Sequence, residues 1–317
     1  MRSTRFSALA LILASGLLAG CGKSNPVASP LASSPGATPS NDQALVTSAI
    51  AAAPQAIEDG LADSALETTL GAQTAQPGLL TAIQPLNYWR TIQSRDRTFE
   101  FVFGDNDPEG RPTTATVTIR RHLVGQFNIL VGPPITADTP PNAARVVIHK
   151  PLDDRWVRRV MLKRVRLAGE SGEPVWRVAA VSGVKVTSKD ATTNILSLRV
   201  QCAALDTTID DPLEFQRLRK ILKFPPETPV TLTVTTGRND DVVVLHHRDH
   251  RFRFHNNGDN TYTGVWPSGM PMAGLQHFGV NALSNGTLFD DQAPYDSQSW
   301  IFPYSLEPEN LMAEFLP

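Results

Sequence analysis

From residue 86 onward, apolar side chains recur at every second position, and this period decides what the chain can fold into. "RTFEFVFGD" sets Phe99, Phe101 and Phe103 on one face of an extended segment. "TTATVTIRRHLVGQFNILVG" does the same with Ala115, Val117 and Ile119, after the turn cluster "DNDPEGRP". "ARVVIHK", "RRVMLKRVRL" and "VWRVAAVSGVKVTS" continue the pattern, and the Gly and Pro of "AGESGEP" suit a hairpin connection between the last two. "ILSLRVQ" is expected to close the sheet. The expectation is a curved antiparallel sheet, with the helices that precede it on its concave face.

Helical patterning is confined to two places. "QALVTSAIAAA" and "AIEDGLADSALETTL" have helical composition but are interrupted by Pro54 and Gly60, which predicts two short helices. A third is expected in "LDTTIDDPLEFQRLRKILKFPPET". Asp211 can cap it, Pro212 suits the first helical position, and Glu214 completes a capping box. Phe215, Leu218, Ile221 and Leu222 then share one arc, and Pro225-Pro226 ends the helix. Beyond it, "PVTLTVTT", "DVVVLHHRD", "HRFRFHNNG", "TYTGVW", "GLQHFGVNAL" and "QSWIFPYSL" are short strands separated by polar turns, the rhythm of a β-sandwich. The fold class is therefore mainly β, α+β overall. The expected order is helices plus a curved antiparallel domain over 43–204, a linking helix over 205–228, a sandwich over 229–306 and a tail over 307–317.

The N-terminus carries a different signal. Arg2 and Arg5 precede an apolar stretch from Phe6 to Leu18, too short to cross a bilayer core of about 30 Å. Residues 1–20 are expected to be a signal peptide. Leu18-Ala19-Gly20-Cys21 then resembles the lipobox of bacterial lipoproteins. That resemblance implies a diacylglycerol on the Cys21 thiol, cleavage before it, an acyl chain such as palmitate on the new N-terminus, and sorting to the outer membrane of a double-membrane bacterium. Residues 21–42 then form the lipidated cysteine and a Ser-, Pro-, Ala- and Gly-rich linker, whose coil span is about 25 Å. Cys202 is the only other cysteine, so a lipidated Cys21 leaves no intramolecular disulfide and stability must come from burial. Without Arg2 and Arg5, basic residues fall from 29 to 27 against 31 acidic ones, which argues against a nucleic-acid partner.

Two further resemblances concern fold. "GDNTYTGVW" followed by "GLQHFGVNALSNGTLFDD" is similar to the later strands of bacterial immunoglobulin-like domains. The long paired strands before it resemble, in texture and order only, an NTF2-like cone.

Chemistry-bearing residues cluster in a few places. "HHRDH" puts His246, His247 and His250 within five positions. Strand alternation gives each face two ligands at most, and Arg248 lies between His246 and His250, so a polar hairpin is the expected reading and a metal site the alternative. Asp290, Asp291 and Asp296 in "LFDDQAPYDS" are a second candidate set, for calcium, against a plain loop. Asp105, Asp107, Glu109 and Gly110 match the start of a calcium loop, but position twelve is Thr116, and a turn is expected. The basic run Arg155, Arg158, Arg159, Lys163, Arg164 and Arg166 is expected to be a solvated face, with contact to anionic lipid heads or an acidic partner as the alternative. No Gly-x-Ser-x-Gly, His-Glu-x-x-His or phosphate loop is present, so no catalytic residue and no cofactor beyond the lipid is assigned.

Two main function classes remain, with calcium-stiffened adhesion through the sandwich loops as a third. One is a membrane-anchored lipoprotein of the cell envelope, periplasmic or surface-facing, that binds an envelope protein or polysaccharide or serves a structural role. The other is a periplasmic small-molecule carrier or enzyme with its cleft in residues 86–204. Phe99, Phe101, Phe103, Trp156 and Trp176 are the residues that would line such a cleft or, if it is filled, form its core.

Overall fold

The computed structural model describes residues 41–62, 64–70, 81–133, 144–166, 173–248, 250–270 and 274–306. The expected signal peptide, Cys21, most of the expected linker and the expected tail lie outside them.

The chain opens with α1 (Asn41–Ala51) and α2 (Pro54–Ile57). The second is shorter than its composition predicts: the backbone is already extended at Glu58 (φ −89°, ψ 128°), and Gly60 then adopts a left-handed φ of 64°. Next come β1 (Thr68–Thr69), β2 (Pro85–Phe103), β3 (Thr114–Val131), β4 (Val146–Val165) and β5 (Val175–Ser188). The stretches "ARVVIHK" and "RRVMLKRVRL" join into the single 20-residue β4. β6 (Ile195–Cys202), β7 (Leu205–Ile209), β8 (Gln216–Arg217), β9 (Leu222–Lys223), β10 (Pro229–Thr236) and β11 (Val242–His247) follow. The remainder is β12 (His250–Arg253), β13 (His255–Asn256), β14 (Thr261–Pro267), β15 (Gln276–Leu283), α3 (Asn285–Phe289) and β16 (Ser297–Ser305).

The strands form two sheets. The larger runs β1-β2-β3-β4-β5-β16-β15-β11-β12, and the smaller β13-β14-β10-β6-β7. β6 therefore does not close the first sheet, as the sequence suggested, but pairs with β10 in the second. The stretches read as two successive domains are interleaved, since β16 pairs with β5 in one sheet and β10 with β6 in the other.

Curvature has identifiable causes. The β2–β3 register shifts between Ile92 and Ser94, opposite Gly125. A Cβ at Gly125 would run into the Thr91 carbonyl, so only glycine lets the two strands cross so closely. The β4–β5 register shifts at Arg158/Val160, where the Ser182 hydroxyl accepts the Arg159 N–H at 2.8 Å and replaces the lost ladder bond. Bulges bend and coil a strand. The sheet curls until its edges, β1 and β12, approach each other.

The linking helix expected over 205–228 is not formed. Its place is taken by β7, a turn in which Asp211 accepts the Leu213 N–H at 2.8 Å, β8, a 3₁₀ turn at Leu218–Lys220, and β9. The reason is packing. Ile221 belongs to one core while Leu222 and Phe224 belong to the other. Only an extended backbone sends consecutive side chains to opposite sides; a helix would place them on one arc.

There are two such cores, and the larger sheet divides them. On β11, Val242 and Val244 enter the first core and Val243 and Leu245 the second. On β16, Ile301 enters the first and Trp300, Phe302 and Tyr304 the second. These strands are buried on both faces. The second core is a β-sandwich filling, between the smaller sheet and the outer face of β11, β15 and β16. It centres on Phe224, Trp266, Phe278 and Tyr304, with ring centroids 5.2 to 6.2 Å apart. The first core fills the concavity. Val46, Ile50, Ile57 and Leu61 of the N-terminal segment lie there against Ile119, Trp156 and Val160, among others.

Candidate functional site

Beneath the N-terminal segment, the concave wall is lined with arginines as well as apolar side chains. Alternation on β4 turns Trp156, Arg158, Val160, Leu162 and Arg164 to the inside. Arg158 is wholly buried and donates from one Nη1 to the carbonyls of Ala56 and Ile57, at 3.0 and 2.6 Å. Arg90 on β2 donates to the Ala62 carbonyl at 2.9 Å. Glu58 is bound by Arg97 (β2) at 3.0 Å and by Arg121 (β3), and Asp42 by Arg164. Asp59, 7% exposed, accepts the Leu61 and Ala62 N–H groups at 2.8 and 2.9 Å and the Trp156 indole N–H at 2.9 Å. The wall thus grips residues 42–62 by both carboxylates and main-chain carbonyls.

A second ion pair lies deeper. Arg90 and Asp154 meet at 3.1 Å, and the Tyr295 hydroxyl accepts from Arg90 at 2.5 Å and donates to Asp154 at 3.2 Å. Burial pushes the Asp154 carboxyl up, and Arg90 opposes it. Burial would raise Asp59 too. There the Arg158 guanidinium, the two main-chain N–H groups and His277 prevail, and the carboxyl sits below its ordinary value. His277 on β15 is pushed down to about 3 by burial and by Arg158, so it is neutral at pH 7.

Two openings meet this network. A cleft of about 270 Å³ is lined by Asp59, Ser64, Arg248, Gln276 and His277, among others. A void of about 10 Å³, room for one water, lies between Arg90, His246, Asn281 and Ser299. His246 Nε2 and Asn281 Nδ2 are buried without a partner among the described residues, which is the donor and acceptor set such a water would join.

The residues singled out from the sequence are dispersed. "HHRDH" is a tight hairpin in which His247 pairs with His250 across the turn at Arg248, whose φ of 46° suits a two-residue hairpin loop. Neither His246 nor His247 is exposed in it. His246 turns to the void on one side of the sheet, its pKa held well below 6.5 by burial, Arg251 and Arg90. His247 is buried in the sandwich, 2.6 Å from the Tyr304 hydroxyl. The side chain of His250 is outside the described residues. Asp296 is buried and accepts from the Thr192 hydroxyl at 2.6 Å and from the Thr192 and Thr193 N–H groups at 3.1 Å, while Asp290 accepts from Thr81 and Asp291 is exposed. The loop they share encloses a cation of the chain's own. Lys150 Nζ donates to the carbonyls of Gly286, Asp290 and Ala293 at 3.2, 2.7 and 2.6 Å. In "DNDPEG", Asp107 likewise binds Arg111, through its N–H at 2.8 Å and its guanidinium at 3.1 Å. Among the described residues, no three His, Cys, Asp or Glu side chains are grouped to hold a metal ion.

The basic run is not one solvated face. Arg158 and Arg164 point inward, while Arg159 lies 4.6 Å over the Phe215 ring. Trp156 and Trp176 are core, and Phe99, Phe101 and Phe103 pack against them as a stack that ends on Trp176. Neither Asp59 nor Arg90 stands out in the sequence. A signal for Arg158 was present: it occupies an inward position of a strand whose neighbours at that period are Trp156 and Val160.

No family model matches the chain, and neither a curated protein nor a solved structure matches it significantly.

Proposed function

We propose that the chain is a lipid-anchored protein of the bacterial cell envelope with a binding or structural role. The observation that carries this reading is Leu18-Ala19-Gly20-Cys21 behind a basic and apolar leader. Two features support it. The first described element begins at Asn41, and the Ser-, Pro-, Ala- and Gly-rich composition of residues 21–42 is that of a linker with a coil span of about 25 Å. The body's concavity is filled by its own chain, as in a protein that presents a surface. The immunoglobulin-like resemblance of the sandwich strands fits the same class.

The experiment is fractionation of cells expressing the parent chain and Cys21→Ser, with metabolic labelling by an alkyne fatty acid. The parent is expected in membranes after a high-salt wash and to carry label. Cys21→Ser is expected to be unlabelled and unprocessed. Labelled, processed Cys21→Ser would end the proposal. A second reading, a carrier with its cleft on the 86–204 strands, is favoured by one observation: the concave face of those strands is lined by arginines whose partners include Asp42, Glu58 and Asp59 of the N-terminal segment.

A further inference from the structure

We infer that residues 41–62 are a displaceable plug, and that the groove beneath them binds a carboxylate amphiphile, an acid of the fatty-acid class. The plug itself displays the chemistry the groove recognises. It presents three carboxylates, Asp42, Glu58 and Asp59, to Arg164, to Arg97 and Arg121, and to Trp156 within reach of the Arg158 charge. Between them it lays Val46, Ile50 and Ile57 on an apolar floor that includes Ile119, Trp156 and Val160. A carboxylate head with an alkyl tail repeats that pattern in one molecule.

Three observations point to exchange rather than permanent closure. The wall is under-used: Arg158 is wholly buried, yet its Nε and Nη2 have no acceptor among the described residues, and Arg97 Nε and Arg164 Nε are in the same position. A free carboxylate could accept two parallel N–H bonds from such a guanidinium, which the single Nη1 contacts to two carbonyls do not provide. The plug is weakly built: α1 has 11 residues with only Val46 and Ile50 buried, and an isolated helix of that length is marginal. Among the described residues it is also followed by little regular structure, since Gly60 is in the left-handed region and β1 is a two-residue strand.

An amphiphile fits better than a peptide partner. β3 and β4, which carry Ile119, Arg121, Trp156, Arg158 and Val160, are paired along their length on both sides, so the plug's seat on them offers no strand edge for main-chain pairing. Its contacts to the plug run from side chains to oxygens and apolar groups, which an acyl chain with an acidic head can reproduce.

This inference rests on the carrier reading and not on the anchor. The test therefore uses the full-length chain with Cys21→Ser, so that no acyl group of its own competes. Hydrogen exchange is followed by mass spectrometry with laurate and, separately, with the neutral dodecyl maltoside. Laurate is expected to speed exchange across 42–62 about tenfold or more while β3 and β4 stay protected. Dodecyl maltoside is expected to leave 42–62 unchanged. Asp42→Asn, on a half-exposed contact, is expected to loosen the plug and tighten laurate binding, and Arg121→Gln to weaken it. Laurate binding without faster exchange in 42–62, equal responses to both amphiphiles, or no laurate binding to either the parent or Asp42→Asn would overturn the inference.

Discussion

Replacing Asp59 by alanine removes the carboxylate on which the N-terminal segment turns. Three donors lose their acceptor: the Leu61 and Ala62 N–H groups and the Trp156 indole. Hydrogen bonds to a charged group contribute about 1.5–3 kcal/mol each, and part of that is offset because the carboxylate no longer has to be desolvated. Arg158 remains, wholly buried, with the Asp59 charge gone. Asp59 and Arg158 attract without forming an ion pair among the described residues, so the expected loss is set mainly by the three hydrogen bonds less the desolvation saved, about 2–4 kcal/mol. It is a large share of the 5–15 kcal/mol of a typical domain. The assay is urea unfolding followed by tryptophan fluorescence, run as a cycle with Arg158→Met. Asp59→Ala is expected to cost about 1–3 kcal/mol less in the Arg158→Met background, because no buried cation is then left behind. A single-variant loss below about 1 kcal/mol, or strict additivity, would refute the reasoning.

Two other perturbations test separate parts of the fold. Asp241, 2% exposed, has both carboxylate oxygens without a donor in bonding geometry among the described residues, and burial lifts its pKa from 3.8 to about 6. The folded state therefore holds a proton that the unfolded state releases between those values, and stability falls as pH rises through the window. Asp241→Asn is expected to stabilise by about 1–3 kcal/mol at pH 7.5 and to change nothing at pH 3.5, read by thermal unfolding at both. Lys150→Met leaves the carbonyls of Gly286, Asp290 and Ala293 without their shared donor, an expected loss of about 2–4 kcal/mol with faster hydrogen exchange in 284–296. A loss under about 0.5 kcal/mol would show that the loop does not depend on this ammonium.

The strands were legible because alternation is a local property. Phe99, Phe101 and Phe103 share a face in the sequence and in the structure. The helix over 205–228 was misread because its caps are local too. Asp211 does bond the Leu213 N–H, but Ile221 and Leu222 answer to cores on opposite sides, and that demand came from strands far away in sequence. The two cores were hidden for a related reason. "DVVVLHH" looks like one strand of one sandwich, and nothing in it says that Val242 and Val243 serve different cores. The site was least visible. Asp59 and Arg158 are 99 positions apart in numbering and meet only once the segment is laid across the bulged sheet. The histidine and aspartate clusters, conspicuous in one dimension, were scattered by alternation and by turns.

Arginines on the inside of a curved sheet create a need for anions there, and the chain meets it with its own N-terminal carboxylates. That segment follows directly on the linker to Cys21, so the proposed anchor and the proposed plug are parts of one stretch. The most direct measurement of the placement at a lipid surface is the intact mass of the N-terminal peptide released from membrane-extracted protein. A chain beginning at Cys21 with a diacylglyceryl thioether and an amide-linked acyl group is expected. A chain beginning at Met1, or cleaved elsewhere and carrying no lipid, would contradict it.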